Sequence, residues 1–171
     1  MALPYAQDKV IDALAEVNDN IVVLIVSGNA VEMPWVDKVD GVVETWFIGS
    51  QAGHAISDVL LGKVNPSGKL PFTFPVRLED NGAHALNAYH KDSLTVEYKE
   101  SIFVGYRWAD KHEIKPLFAF GHGLSYTTFE YGQAKCRKSG KGFKVSVDVT
   151  NTGTLEGKEI VSMCDVATRL E

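Results

Sequence analysis

The sequence predicts an α/β layer domain followed by a short all-β stretch. Three observations carry this. Ile21–Val26 is an unbroken apolar run bounded by polar residues, as in a strand buried on both faces of a parallel sheet. Ala52, Ala55, Ile56, Val59 and Leu60 recur at the helical period. From Phe129 the period becomes two: Phe143, Val145, Val147 and Val149 alternate with Lys144, Ser146, Asp148 and Thr150.

In chain order, Ala2–Asn18 reads as a helix, with Pro4 in its first turn and an apolar stripe of Val10, Ile11, Leu14 and Val17. Ile21–Val26 is the first strand, and Ser27-Gly28-Asn29-Ala30 is the loop at its carboxyl end. Asp40–Phe47 reads as a second strand. The helix through Ala52–Leu60 follows; Gly62 would stop it in a left-handed conformation, and Lys63 complements its negative end. Asn65-Pro66-Ser67-Gly68 is a turn by composition, with glycine free to take positive φ. Leu70–Pro75 is extended, because each proline pushes the residue before it out of the helical region. This helix–strand–strand–helix alternation is that of an α/β layer fold.

Glu79–Leu94 is polar and aperiodic, so a surface loop is expected. His84 and His90 lie in it, six apart and without a ligand set, so the reading is two solvated histidines. Val96–Ala109 returns to order. Phe118–Thr127 reads as a glycine-shaped turn packed by aromatics; its Ser125 is not in the register of a G-x-S-x-G nucleophile elbow. The basic cluster Lys135–Lys141 is expected to be a solvated loop between strands, and Gly157–Asp165 a further strand.

The 171 residues suffice for one domain with a core, or one domain and part of another. A net charge of -5 without a basic stripe argues against nucleic acid. No apolar run approaches the roughly 20 residues of a membrane helix. Cys136 and Cys164 fit neither a metal-ligand spacing nor a disulfide framework and read as two free thiols. A dinucleotide-binding domain is disfavoured, since no G-x-G-x-x-G follows Val26.

The stretch Ala55-Ile56-Ser57-Asp58-Val59-Leu60-Leu61-Gly62, with Asn65-Pro66-Ser67-Gly68-Lys69-Leu70-Pro71 and Thr73-Phe74-Pro75, closely resembles the C-terminal α/β domain of glycoside hydrolase family 3. Leu3-Pro4-Tyr5-Ala6-Gln7, Val23–Gly28, Met33-Pro34-Trp35, Tyr98–Arg107 and Phe118–Thr127 resemble further landmarks of that domain, in the same order. Ile48-Gly49-Ser50-Gln51-Ala52-Gly53 departs from the family's Pro-Gly-Gln-Glu-Gly-Gly, which makes the helix start less typical. Val145–Val161 resembles the opening strands of the family's fibronectin type III-like domain, although Ser162-Met163-Cys164-Asp165 replaces its usual Gln-Leu-Tyr-Val.

The resemblance implies residues 1–128 as the second part of an α/β sandwich domain. Residues 129–171 would begin an incomplete, fibronectin-like β-sandwich of about three strands, with open edges, poorly ordered or paired with another copy. Met1 then stands before a mid-domain segment, and Leu170-Glu171 reads as a cloning remnant.

The same resemblance implies a parent β-glucosidase that hydrolyses terminal, non-reducing β-D-glucosyl residues by double displacement, without a cofactor. Its nucleophile is an aspartate on a preceding (β/α)8 barrel, a domain of about 250 residues that this chain does not contain. Its acid/base is, in many members, a glutamate just before the Leu3–Gln7 motif, hence upstream of Met1. The chain is therefore expected to hold no catalytic, cofactor-binding or metal-binding residue and to be inert alone.

The substitutes within the chain read as structural. Glu100 is expected in an ion pair with Arg107. Glu97 and Glu100, three apart in an extended segment, would face opposite ways. Asp58 is a mid-helix residue near Lys63 and Lys69. The alternative is a stand-alone carbohydrate-binding or interaction module, which would need exposed aromatics; Trp35, Trp46 and Trp108 are the candidates, and buried packing is expected for all three.

Overall fold

A computed structural model describes residues 1–89 and 94–163. The chain divides into two units: residues 1–56 with 70–122, and residues 57–69 with 123 onward.

The first unit is built on a parallel strand pair, β1 (Val22–Ile25) and β2 (Gly41–Glu44), in the register Val22↔Gly41 to Ile25↔Glu44. Only one face of β1 reaches the core. Ile25 is buried, whereas Val22, Leu24 and Val26 are exposed. This corrects the expectation of a strand buried on both faces: among the described residues only one side of β1 is covered.

Helix α1 spans Gln7–Ala15, shorter than the expected Ala2–Asn18. Pro4–Ala6 form a 3₁₀ turn in which Tyr5 and Ala6 are left-handed, at φ 56° each, so the α-helix cannot begin before Gln7. Of the expected stripe, Ile11 packs against the core while Val10, Leu14 and Val17 are exposed.

The core of this unit is Ile25, Ala30, Met33, Trp35 and Phe74. Trp35 is fully enclosed at 0% exposure, and its indole N–H donates to Asp8 Oδ1 of α1 at 2.7 Å. A buried indole N–H usually finds such an acceptor, although that of Trp108 has none among the described residues. Leu70–Pro75 is extended as expected, and Phe74 pairs with Phe118 through reciprocal backbone bonds of 2.8 and 3.2 Å. Trp46, Phe72 and Phe74 form an aromatic cluster with ring centroids 5.4–6.1 Å apart.

Helix α2 (Ala52–Leu60) follows a 3₁₀ turn, Gly49–Gln51. It ends as its chemistry dictates. Gly62 is left-handed at φ 70°, its N–H donates to Val59 O, and the Lys63 N–H reaches back to Asp58 O at 2.8 Å. These two bonds make a Schellman motif.

The segment expected as a loop over 79–94 carries short ordered turns. Leu78–Asp80 is 3₁₀, and α3 (Gly82–Ala85) is capped by Asn81, whose Oδ1 accepts from the Ala83 N–H at 3.1 Å. Gly82 is required there: a Cβ would stand 2.8 Å from the Trp108 ring. Trp108 lies on α4 (Tyr106–Lys111).

The second unit holds two antiparallel pairs. β3 (Phe129–Tyr131) pairs with β6 (Val149–Asn151), and β4 (Lys135–Ser139) forms a hairpin with β5 (Gly142–Ser146). The basic cluster expected as a loop is thus largely a strand, turned at Gly140, φ 58°. The alternation expected to run on from Phe143 breaks at Val147-Asp148, where the chain changes partner strand; Asp148 O accepts from Gly132 N–H at 2.8 Å. Gly157–Met163 joins no ladder, contrary to the expected strand, and Cys164 and Asp165 lie outside the described residues. So do His90 and the Leu170-Glu171 pair.

Candidate functional site

The carboxyl edge of the β1–β2 pair gathers the first unit's most distinctive polar group. In open α/β sheets this edge is where ligands bind. β2 is pinned there by Thr45, whose N–H and hydroxyl both donate to Ile25 O at 2.9 Å. The next residue, Trp46, is left-handed at φ 53°. Its N–H donates to Glu44 Oε1 at 3.0 Å, so the glutamate side chain holds the strained backbone that follows it.

Glu44 is half-buried. The Ser27 hydroxyl donates to Asn29 O at 2.7 Å, and its oxygen stands 3.3 and 3.4 Å from the two carboxylate oxygens. Burial pushes the Glu44 pKa above its ordinary value, and hydrogen bonds from the Trp46 backbone and from Ser27 only partly oppose this. Beside them the Phe47 ring lies against Gly28, where a Cβ would come within 2.8 Å of Cε2, yet Phe47 is 76% exposed. Sequence reasoning missed Glu44; the available signal was a carboxylate at the last position of a strand in an α/β pattern.

The second unit has its own polar centre, made from the Asn65–Lys69 motif. The expected turn is not closed by a backbone bond, and Gly68 is not among the left-handed glycines. Side chains shape it instead: Asn65 Nδ2 donates to Ser67 Oγ at 3.1 Å. Asn65 Oδ1 accepts from Tyr126 N–H at 2.6 Å and from the Ser125 hydroxyl at 3.1 Å. Ser67 Oγ accepts from Lys158 N–H at 3.1 Å. Lys69 Nζ lies 3.3 Å from Glu159 Oε2 and donates to Gly123 O at 2.6 Å. Desolvation raises the Glu159 pKa, but hydrogen bonds from Tyr131 and Lys69 outweigh it and leave the net shift downward. Ser125 is thereby a structural partner of Asn65 rather than an activated hydroxyl.

The other sequence candidates are not brought together. Glu100 sits in a turn closed by Phe103 N–H onto Glu100 O, not in an extended segment, and among the described residues it forms no ion pair with Arg107. The expected pair is replaced by a cation–π contact, with the Arg107 guanidinium 5.9 Å from the Tyr106 ring. Glu97 pairs with Lys99 at 2.7 Å. Asp58 pairs with Lys63 at 3.3 Å, while Lys69 belongs to Glu159. Trp35 and Trp108 are buried and Trp46 is half-buried in the aromatic cluster. His84 packs on Tyr89, and Cys136 is a free, exposed thiol in β4. No helix among the described residues is long and apolar enough to cross a membrane.

The profile of the glycosyl hydrolase family 3 C-terminal domain matches residues 1–126, and the chain belongs to this family. It is 52% identical over 167 residues to beta-glucosidase BoGH3A of Bacteroides ovatus, covering 94% of this chain and 22% of the relative. It is 50% identical over 167 residues to thermostable beta-glucosidase B of Acetivibrio thermocellus, covering 95% and 22%. Among solved structures, it is similar to DesR, a beta-glucosidase from Streptomyces venezuelae in complex with D-glucose. That match has a TM-score of 0.84 and 40% identity, covering 89% of this chain and 20% of the other. The beta-glucosidase from Kluyveromyces marxianus in complex with glucose matches at a TM-score of 0.83 and 40% identity, covering 90% and 18%. The chain thus spans about a fifth of the length of the curated relatives.

Proposed function

We propose that this chain is the scaffold part of a retaining β-glucosidase that hydrolyses terminal, non-reducing β-D-glucosyl residues. The observation that carries the reading is the near-complete coverage of the chain by relatives named as beta-glucosidases at about half identity. Retaining hydrolysis needs two carboxylates about 5–5.5 Å apart, one attacking the anomeric carbon and one protonating the leaving oxygen. Several carboxylates of this chain have structural partners: Glu44 holds Trp46, Asp58 and Glu97 pair with lysines, and Glu159 is bonded by Lys69 and Tyr131. On this reading the catalytic pair belongs to the parent outside this chain, an aspartate on a (β/α)8 barrel and a glutamate preceding Leu3, as the resemblance to the family implies.

On this reading residues 1–128 supply the later part of an α/β sandwich domain, and residues 129–171 open a fibronectin type III-like domain. The Asn65–Lys69 motif then serves to anchor the start of that domain, since its polar contacts run to Lys158 and Glu159. The test is hydrolysis of an aryl β-glucoside followed by NMR. The intact parent protein releases β-glucose first, and the 171-residue chain alone gives no turnover. Turnover by the chain alone that is lost in Glu100→Gln would overturn the proposal.

A further inference from the structure

We propose that the carboxyl edge of the β1–β2 pair is a pyranoside subsite, with Phe47 as its stacking platform and Ser27 and Glu44 as its hydroxyl partners. The inference rests on the glycosidase reading and adds to it a place on this chain where sugar binds. Phe47 is the apolar part. One side of its ring is set against Gly28, and the ring is 76% exposed. Gly28 permits this seat, because any Cβ there would meet the ring at 2.8 Å. An aromatic face open to solvent suits the C–H face of a pyranose.

The polar part is Glu44 with Ser27. The carboxylate accepts the Trp46 N–H at Oε1 and lies 3.3 and 3.4 Å from Ser27 Oγ. A carboxylate offers about four acceptor positions, so it can also take sugar hydroxyls. Its position is held by the Trp46 backbone, so it is placed before ligand arrives. The edge also selects against charge. Residues 26–30 and 44–49 contain no Lys or Arg, so these two segments supply no cation to compensate a phosphate or carboxylate ligand next to Glu44. No glycine-rich phosphate cradle is present in this stretch either. A neutral ligand with one apolar face and many hydroxyls, a glucoside or short gluco-oligosaccharide, is what remains.

The test is calorimetric titration of the intact parent protein with cellobiose, after its active site has been blocked with an activated 2-deoxy-2-fluoroglucoside. The blocked wild type should still bind cellobiose. Phe47→Ala should weaken this binding about three- to tenfold, the size of one lost stacking contact, and Phe47→Tyr should restore it. The melting temperature should be unchanged in both variants, so that lost binding is not lost folding. Absence of cellobiose binding to the blocked wild type, or equal binding by Phe47→Ala, would overturn the subsite and leave the hydrolase reading intact. Failure of the reagent to label would count against the hydrolase reading. The same wild-type and Phe47→Ala titrations, run on unlabelled protein, would then decide the subsite alone.

Discussion

Lys69 and Glu159 stand 90 positions apart in sequence and form an ion pair at 3.3 Å, with only 15% and 11% of their side chains exposed. The pair joins the Asn65–Lys69 motif to a segment that has no strand partner of its own. Removing one member leaves the other charge largely desolvated. Lys69→Met should therefore destabilise the protein by about 2–4 kcal/mol, toward the lower end because both groups keep some contact with water. Glu159 has a lowered pKa in the folded protein. Its contribution is present above the ordinary value of 4.5 and is lost as pH falls through the lower folded value. Thermal melts from pH 7 to pH 3 should show the gap between wild type and Lys69→Met closing with acid. A constant gap would contradict this account of the pair.

Asn65 acts through both ends of its amide. Asn65→Ala frees the Tyr126 N–H and the Ser125 hydroxyl together and should cost about 1–3 kcal/mol. Asn65→Asp keeps the acceptor and loses only the donor to Ser67, so it should cost less. Chemical denaturation of the two variants distinguishes them; equal losses would mean that the acceptor role is not the important one.

Glu44 behaves in the opposite sense to Glu159. Burial raises its pKa, so its stabilising contribution is complete below about 4.5 and declines as pH rises through the raised folded value. Glu44→Gln retains an acceptor for the Trp46 N–H and removes the cost of the buried charge. The melting temperature of Glu44→Gln relative to wild type should rise between pH 4 and pH 7. A flat difference over that range would show that desolvation is not the dominant influence.

Gly62 can be examined without steric confusion. It is left-handed at φ 70°, and an added Cβ would meet nothing within 4 Å. Gly62→Ala should cost about 1–2 kcal/mol from backbone strain alone, and Gly62→Asn less. Denaturant midpoints at unchanged m-value would report it; a cost near zero would mean that α2 ends by other means.

The features legible in the sequence were those set by local chemistry. α2 and its Gly62 stop follow from a helical period and a residue that tolerates positive φ, both contained within about ten residues. The parallel pair followed from apolar runs, but its one-sided burial did not, because burial depends on what covers a face. α1 was read too long, since nothing in Tyr5-Ala6 announces left-handed backbone in non-glycine residues. β4 was missed because Lys-Cys-Arg-Lys-Ser has no apolar alternation; its order comes from pairing with β5, residue 135 to residue 146. In the candidate site, Asp58 with Lys63 was legible only as nearness in sequence, five positions apart across the Gly62 stop. Glu44 with Ser27, and Lys69 with Glu159, were not, because each pair is made by tertiary folding across 17 and 90 positions.

On the proposed function this chain supports glycoside hydrolysis without supplying its reacting groups. The most direct measurement is covalent labelling of the intact parent protein with an activated 2-deoxy-2-fluoro-β-glucoside, followed by mass-spectrometric mapping of the labelled peptide. The account predicts a glucosyl ester on an aspartate outside residues 1–171. An ester on Glu44, Glu100 or any other carboxylate of this chain would contradict it.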